Sequence, residues 1–157
     1  MLRVFDNAYM ELGPGSARLE KRPISEPGRD PWFLVALKPT NPRSAPMAAA
    51  IVGDVNFSVG RRGCSVELWD IIQPADEETA IETTRDLVRE VIDGRYHEKL
   101  QSLPVIGVVA AQGYLTIRGK PVAFGHGIFI PLLITATEEY EPYRPPDDIN
   151  STNRAAD

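Results

Sequence analysis

The chain has 157 residues, 43% of them hydrophobic and 25% charged; one domain with its own core is implied, and a fibrous or wholly disordered chain is excluded. One cysteine, Cys64, excludes an internal disulfide framework and fits a reducing compartment. The net charge of −5 is uneven, with 9 Lys/Arg and 8 Asp/Glu in residues 1–75 against 8 and 14 in residues 76–157. An acidic half repels a phosphate backbone, which argues against nucleic-acid binding, and attracts a basic protein surface.

Residues 1–12 carry Asp6 and Glu11 and lack the apolar core of a signal peptide. The longest apolar stretches, residues 103–111 and 128–136, are about half of what a helix needs to cross a bilayer. The expectation is a protein of the bacterial cytosol that neither spans nor binds a membrane.

Residues 1–22 read as two short strands, near residues 8–12 and 17–22, joined by the turn Gly13-Pro14-Gly15-Ser16. The proline-rich stretches 23–31 and 39–46 read as loops around a buried strand at residues 32–38. Residues 49–59 and 64–72 then form a hairpin about Gly60-Arg61-Arg62-Gly63, its second arm alternating apolar and polar residues.

The spacing predicts a helix over residues 76–93. Asp76 is placed to cap it, Glu77 and Glu78 suit the positive end of its dipole, and Gly94 ends it. Ala80, Ile81, Thr84, Leu87, Val88, Val91 and Ile92 recur at three- and four-residue spacing as one stripe. Glu82–Arg85 and Asp86–Arg89 are expected to pair along the other face. Further on, residues 96–101 alternate as a strand or one more helical turn, 105–111 is an apolar run, and strands at 114–117 and 121–124 flank a short turn. Residues 128–137 read as a strand kept to an edge or bulge by Pro131. The acidic, proline-rich segment from residue 141 to 157 reads as a flexible tail on a single domain of residues 1–140. The fold class is α+β: a mostly antiparallel sheet with one long amphipathic helix on one face.

Catalytic motifs are few. His126, between Gly125 and Gly127, is the one candidate general base, although flanking glycines also suit a simple turn. Cys64 reads as a core thiol rather than a nucleophile. Glu67 and Asp70 stand three apart on a strand and so face opposite sides. Asp93 and His97 would share a helix face only if the helix ran past Gly94, and a metal site needs a third ligand. No cofactor and no metal are expected. Arg61 and Arg62 at a hairpin tip can clamp an anion, and Glu138, Glu139, Tyr140 and Tyr143 form an acidic-aromatic stretch suited to a protein partner. Trp32 and Trp69 read as core, or as interface anchors if partly exposed.

The function expected from this character is a non-enzymatic protein-interaction module, of the neutralising kind that immunity proteins represent. The alternatives are a small enzyme or ligand-binding domain centred on His126, and a subunit of a larger assembly.

Overall fold

The computed structural model describes residues 1–13, 15–28, 31–52, 54–71, 76–127, 129–130 and 133–144, with the backbone alone for Trp69 and Asp70. Its elements are α1 (Leu2–Leu12), β1 (Ala17–Ile24), β2 (Trp32–Pro39), β3 (Met47–Val52), β4 (Asp54–Val59), β5 (Cys64–Glu67), α2 (Leu68–Ile71), α3 (Glu77–Ile92), β6 (His97–Leu103), β7 (Gly107–Ile117), β8 (Lys120–His126) and β9 (Thr135–Glu139).

The strands form two antiparallel sheets. The first is a five-stranded meander, β1-β2-β3-β4-β5, and the second has the order β8-β7-β6-β9. The α+β, antiparallel reading stands. The single helix on a single sheet does not, because the strands divide into two sheets and a second substantial helix precedes them.

That helix, α1, replaces the strand expected at residues 8–12. Val4, Phe5, Ala8 and Leu12 recur at helical spacing, and Val4, Phe5 and Leu12 are buried. The turn residues at 13–16 are compatible with either a helix or a strand before them. Gly13 indeed ends α1, its N–H bonding back to Tyr9 and Met10.

The other differences are local. The first hairpin arm is two strands, β3 and β4, paired from Met47↔Val59 to Val52↔Asp54. The second arm stops at Glu67, and Leu68–Ile71 turn into a short helix. The run at 105–111 is a hairpin tip followed by the start of β7, and β9 begins only at Thr135, on the edge of its sheet. Pro131 lies outside the described residues.

Helix α3 forms where expected. Asp76 accepts a hydrogen bond from the Thr79 amide at 2.8 Å, and that amide holds its carboxyl below the usual value. Helix α3 packs on β7 of the second sheet, and α1 packs on α3 and on β1 and β2 of the first. The two sheets and both helices share one core, in which Phe5, Val35, Leu37, Phe57, Leu87 and Val91 are fully buried.

Residues 141–144 belong to that body and not to a tail. Tyr143 is buried, and its hydroxyl donates to the Ala45 carbonyl at 2.6 Å. Its amide donates to the Ile92 carbonyl at the end of α3, and the Glu141 amide to the Arg43 carbonyl. Residues 145–157 lie outside the described residues. Among the described residues no helix is long and apolar enough to cross a membrane.

Two glycines on opposite sheets leave no room for a side chain. Gly60 has φ 79° and a Cβ there would run into the Glu98 carboxyl, while a Cβ at Gly113 would stand 2.5 Å from the Tyr96 hydroxyl. Gly119 also has positive φ, 75°, but nothing lies near it. In urea unfolding, Gly60→Ala and Gly113→Ala should each lose about 3 kcal/mol or more. Gly119→Ala should lose only about 1 kcal/mol, the backbone cost alone.

Candidate functional site

The most unusual chemistry in the molecule lies between the two sheets. Glu98, on the inner face of β6, is fully buried. Its register partners are Gly113 on β7 and Glu138 on β9. The Tyr96 hydroxyl donates to Glu98 Oε1 at 2.8 Å, and the Tyr140 hydroxyl donates to Oε2 at 2.8 Å. The Arg61 amide donates to the Tyr140 oxygen at 3.1 Å, so a chain of hydrogen bonds runs from the β4–β5 turn into the second sheet. Tyr96 also stacks between Phe124 and Tyr140, with ring centroids 6.1 and 5.5 Å away.

Cys64 at the start of β5 completes this cluster. Burial pushes its thiol up to about 11; the Glu98 carboxyl adds to the shift, and a hydrogen bond with Tyr96 opposes it. Burial, with Glu98 beside them, also pushes the Tyr96 and Tyr140 hydroxyls well above the ordinary phenol value. A buried thiol held protonated is a poor nucleophile. The cluster has the composition of an active site, and its groups hydrogen-bond to one another across β6, β9 and the β4–β5 turn.

Four of the six residues expected to meet a partner serve the fold. Arg61 Nη1 pairs with Glu138 at 2.8 Å, its Nη2 donates to the Pro42 carbonyl, and its guanidinium lies over the Tyr140 ring. Tyr140 and Tyr143 are buried. Arg62 and Glu139 are exposed.

His126 ends β8 opposite Ala111 and is exposed. Its side chain bonds to no described residue, and Cys64 is buried elsewhere. Side chains at Gly125 or Gly127 would strike the carbonyls of Ala111 and Val109, so these glycines serve the close approach of β8 to β7. His97 lies in β6 and stacks on Tyr114 at 5.2 Å, while Asp93 pairs with Arg95 at 2.8 Å. The helix does not run past Gly94, and no metal-binding group of three occurs among the described residues. Glu67 is exposed and Trp32 half-buried. The side chains of Asp70 and Trp69 lie outside the described residues.

The surface offers a site that sequence patterning did not single out. At the far end of the second sheet, the β6–β7 hairpin closes with Leu103↔Gly107, and its tip exposes Val105 at 96% and Ile106 at 73%. Ile134 is 87% exposed and directly precedes β9, whose first residue, Thr135, pairs with Gln101. Ile130, 47% exposed, is fixed at the same end by Gln101, which accepts from its amide at 2.7 Å and donates to its carbonyl at 2.8 Å. Hairpin tips ordinarily carry polar and small residues, so these aliphatic side chains, exposed among the described residues, stand out.

No protein-family model, curated protein or solved structure matches this chain.

The protonated state of the interior has a consequence at high pH. The Cys64 thiol titrates higher in the folded than in the unfolded chain, from the ordinary 9.0 up to about 11. Its contribution is complete below pH 9 and is lost as pH rises through 11; the buried tyrosines act in the same direction from pH 10 upward. Urea unfolding at pH 7, 9 and 10.5 should show falling stability, with a share of about 2 kcal/mol removed in Cys64→Ser. Cys64 should resist thiol reagents at neutral pH until the protein is unfolded.

Proposed function

We propose that this chain is a non-enzymatic protein-interaction module that docks a protein partner through the apolar end of its second sheet. The observation that carries the reading is the exposed cluster Val105, Ile106, Ile130 and Ile134 on an ordered scaffold. Burying aliphatic side chains releases roughly 25 cal/mol for each Å² removed from water, so a cluster left open on the free chain favours a complex that covers it. The open edge of β9 leads directly into Ile134 and adds unpaired backbone groups that a partner strand can use.

The excess of acids over bases in residues 76–157 favours a partner whose apolar patch lies in a basic surround. A cytosolic module that neutralises such a partner by covering its surface agrees with both features. A second reading, a subunit of a larger homomeric assembly, rests on the same cluster and differs only in what covers it.

Affinity capture from host lysate with the wild-type chain and with Val105→Asp/Ile106→Asp separates these readings. Both positions are exposed, so the double variant should keep its thermal unfolding midpoint. It should lose the proteins that the wild type captures, by about tenfold or more in recovered amount. Equal capture by both chains would sink the proposal. If light scattering shows the wild type self-associating and the variant monomeric, the homomeric reading replaces it.

A further inference from the structure

A second site lies on a different surface, in the groove between α1 and α3. It encloses about 440 Å³, within the range of small-molecule sites. Val4, Ala8, Leu12, Val88 and Ile92 give it an apolar floor, and Arg85, Arg89 and Arg144 stand on its walls.

The charges on α3 explain why this groove is cationic. The sequence pairs Glu82 with Arg85 and Asp86 with Arg89 along one helix. In the structure both acids turn instead to Arg118 in the β7–β8 turn, at 2.6 and 3.1 Å. Arg85 and Arg89, one turn apart, are exposed and make no ion pair or side-chain hydrogen bond among the described residues. Two like charges at this spacing repel each other, and an anion between them removes the penalty. Two acids also line the groove: Asp93 is already paired with Arg95, and Glu11 is set against three arginines, Arg85, Arg89 and Arg144. Arg144 is anchored by donating to the Glu11 carbonyl.

From this juxtaposition we infer that the α1–α3 groove binds a small amphipathic monocarboxylate, its head on Arg85 and Arg89 and its apolar body along the floor. The α1 side of the floor, from Val4 to Leu12, runs roughly 12 Å at 1.5 Å per helical residue. An extended decanoate is of similar length.

Calorimetry and amide chemical shifts with sodium decanoate, below its micelle concentration, test this on the full chain. The expected result is saturable 1:1 binding with shifts centred on Val4, Ala8, Leu12, Val88 and Ile92. Decanol should bind at least about tenfold more weakly, and Arg85→Gln/Arg89→Gln should weaken decanoate by about tenfold or more. Arg85→Lys/Arg89→Lys should recover part of the loss, because the charge remains while the bidentate geometry does not. The inference is overturned by an absence of saturable binding, as when residues 145–157 or a second copy fill the groove. Equal affinity for decanol, equal affinity in the Gln variant, or shifts centred elsewhere overturn it as well.

Discussion

The hydrogen bonds that Tyr96 and Tyr140 donate to the buried Glu98 carboxyl are the constraint on which the rest of the molecule depends. A carboxyl group withdrawn from water costs several kcal/mol unless its oxygens are satisfied. Here each oxygen receives one hydroxyl at 2.8 Å, one from Tyr96, which directly precedes β6, and one from Tyr140, which directly follows β9. The network reaches the first sheet where the Tyr96 hydroxyl meets the Val59 carbonyl at 3.2 Å and the Arg61 amide donates to the Tyr140 oxygen, so it favours one arrangement of the sheets in a way that a purely apolar contact would not. Gly60 and Gly113 complete the constraint sterically, each giving up a side chain so that Glu98 and Tyr96 can lie against backbone. One glycine belongs to the first sheet's β4–β5 turn and the other to β7, which ties the approach of the sheets to these two positions.

The C-terminal part of the described chain extends the same logic. Tyr140 enters the Glu98 network, and three residues later Tyr143 reaches the loop between β2 and β3 through the Ala45 carbonyl. Arg61 closes the circuit with Glu138 and the Pro42 carbonyl. An exposed ion pair contributes little by itself. Arg61, however, also presents its amide to Tyr140 and its guanidinium to the same ring, so one residue joins the turn, β9 and the buried network. Sequence segments far apart are thus held by polar contacts of high sequence separation, and residues 140–144 are part of what they hold.

What was legible in the sequence follows from the range of the forces involved. Helix α3 could be read because its cap, its dipole-matched acids and its apolar stripe are local properties. The strands near residues 17, 32 and 120 were legible for the same reason, while residues 96–101 suited a strand or a helical turn equally, and the structure decides for a strand, β6. Helix α1 was not, because residues 8–12 seen beside a Gly-Pro-Gly turn suit a strand, and only packing of Val4 and Phe5 against the body decides for helix. The division into two sheets depends on pairing between distant segments and leaves no periodic trace. The site was hidden more deeply. Tyr140, Tyr143, Arg61 and Glu138 have the composition of a binding surface, and the sequence cannot show that Arg61 meets Glu138 and Tyr140 or that Tyr143 is buried against the Ala45 carbonyl. Glu98 looked like any strand carboxyl. The one local signal available was Val105-Ile106 beside Pro104 between two strands, a run of aliphatic residues where a polar turn is normal.

The partition of polar and apolar groups departs from the usual expectation at a few positions in an otherwise apolar core, and those positions are informative. A chain that buries a carboxyl, three tyrosine hydroxyls and a thiol while exposing Val105, Ile106 and Ile134 has not minimised its own free energy residue by residue. The Glu98 carboxyl and the three buried tyrosine hydroxyls find their hydrogen-bond partners inside the chain, which favours one rigid arrangement of the interior. Among the described residues nothing covers the side chains of Val105, Ile106 and Ile134, which is the observation the proposed docking surface rests on. A rigid interior lowers the entropic cost of presenting such a surface, which is what the proposed docking role requires. The same argument applies on a smaller scale to α3. Arg118 draws Glu82 and Asp86 to one flank and leaves Arg85 and Arg89 without an ion pair among the described residues, so an internal ion-pair choice shapes the charge of an external surface.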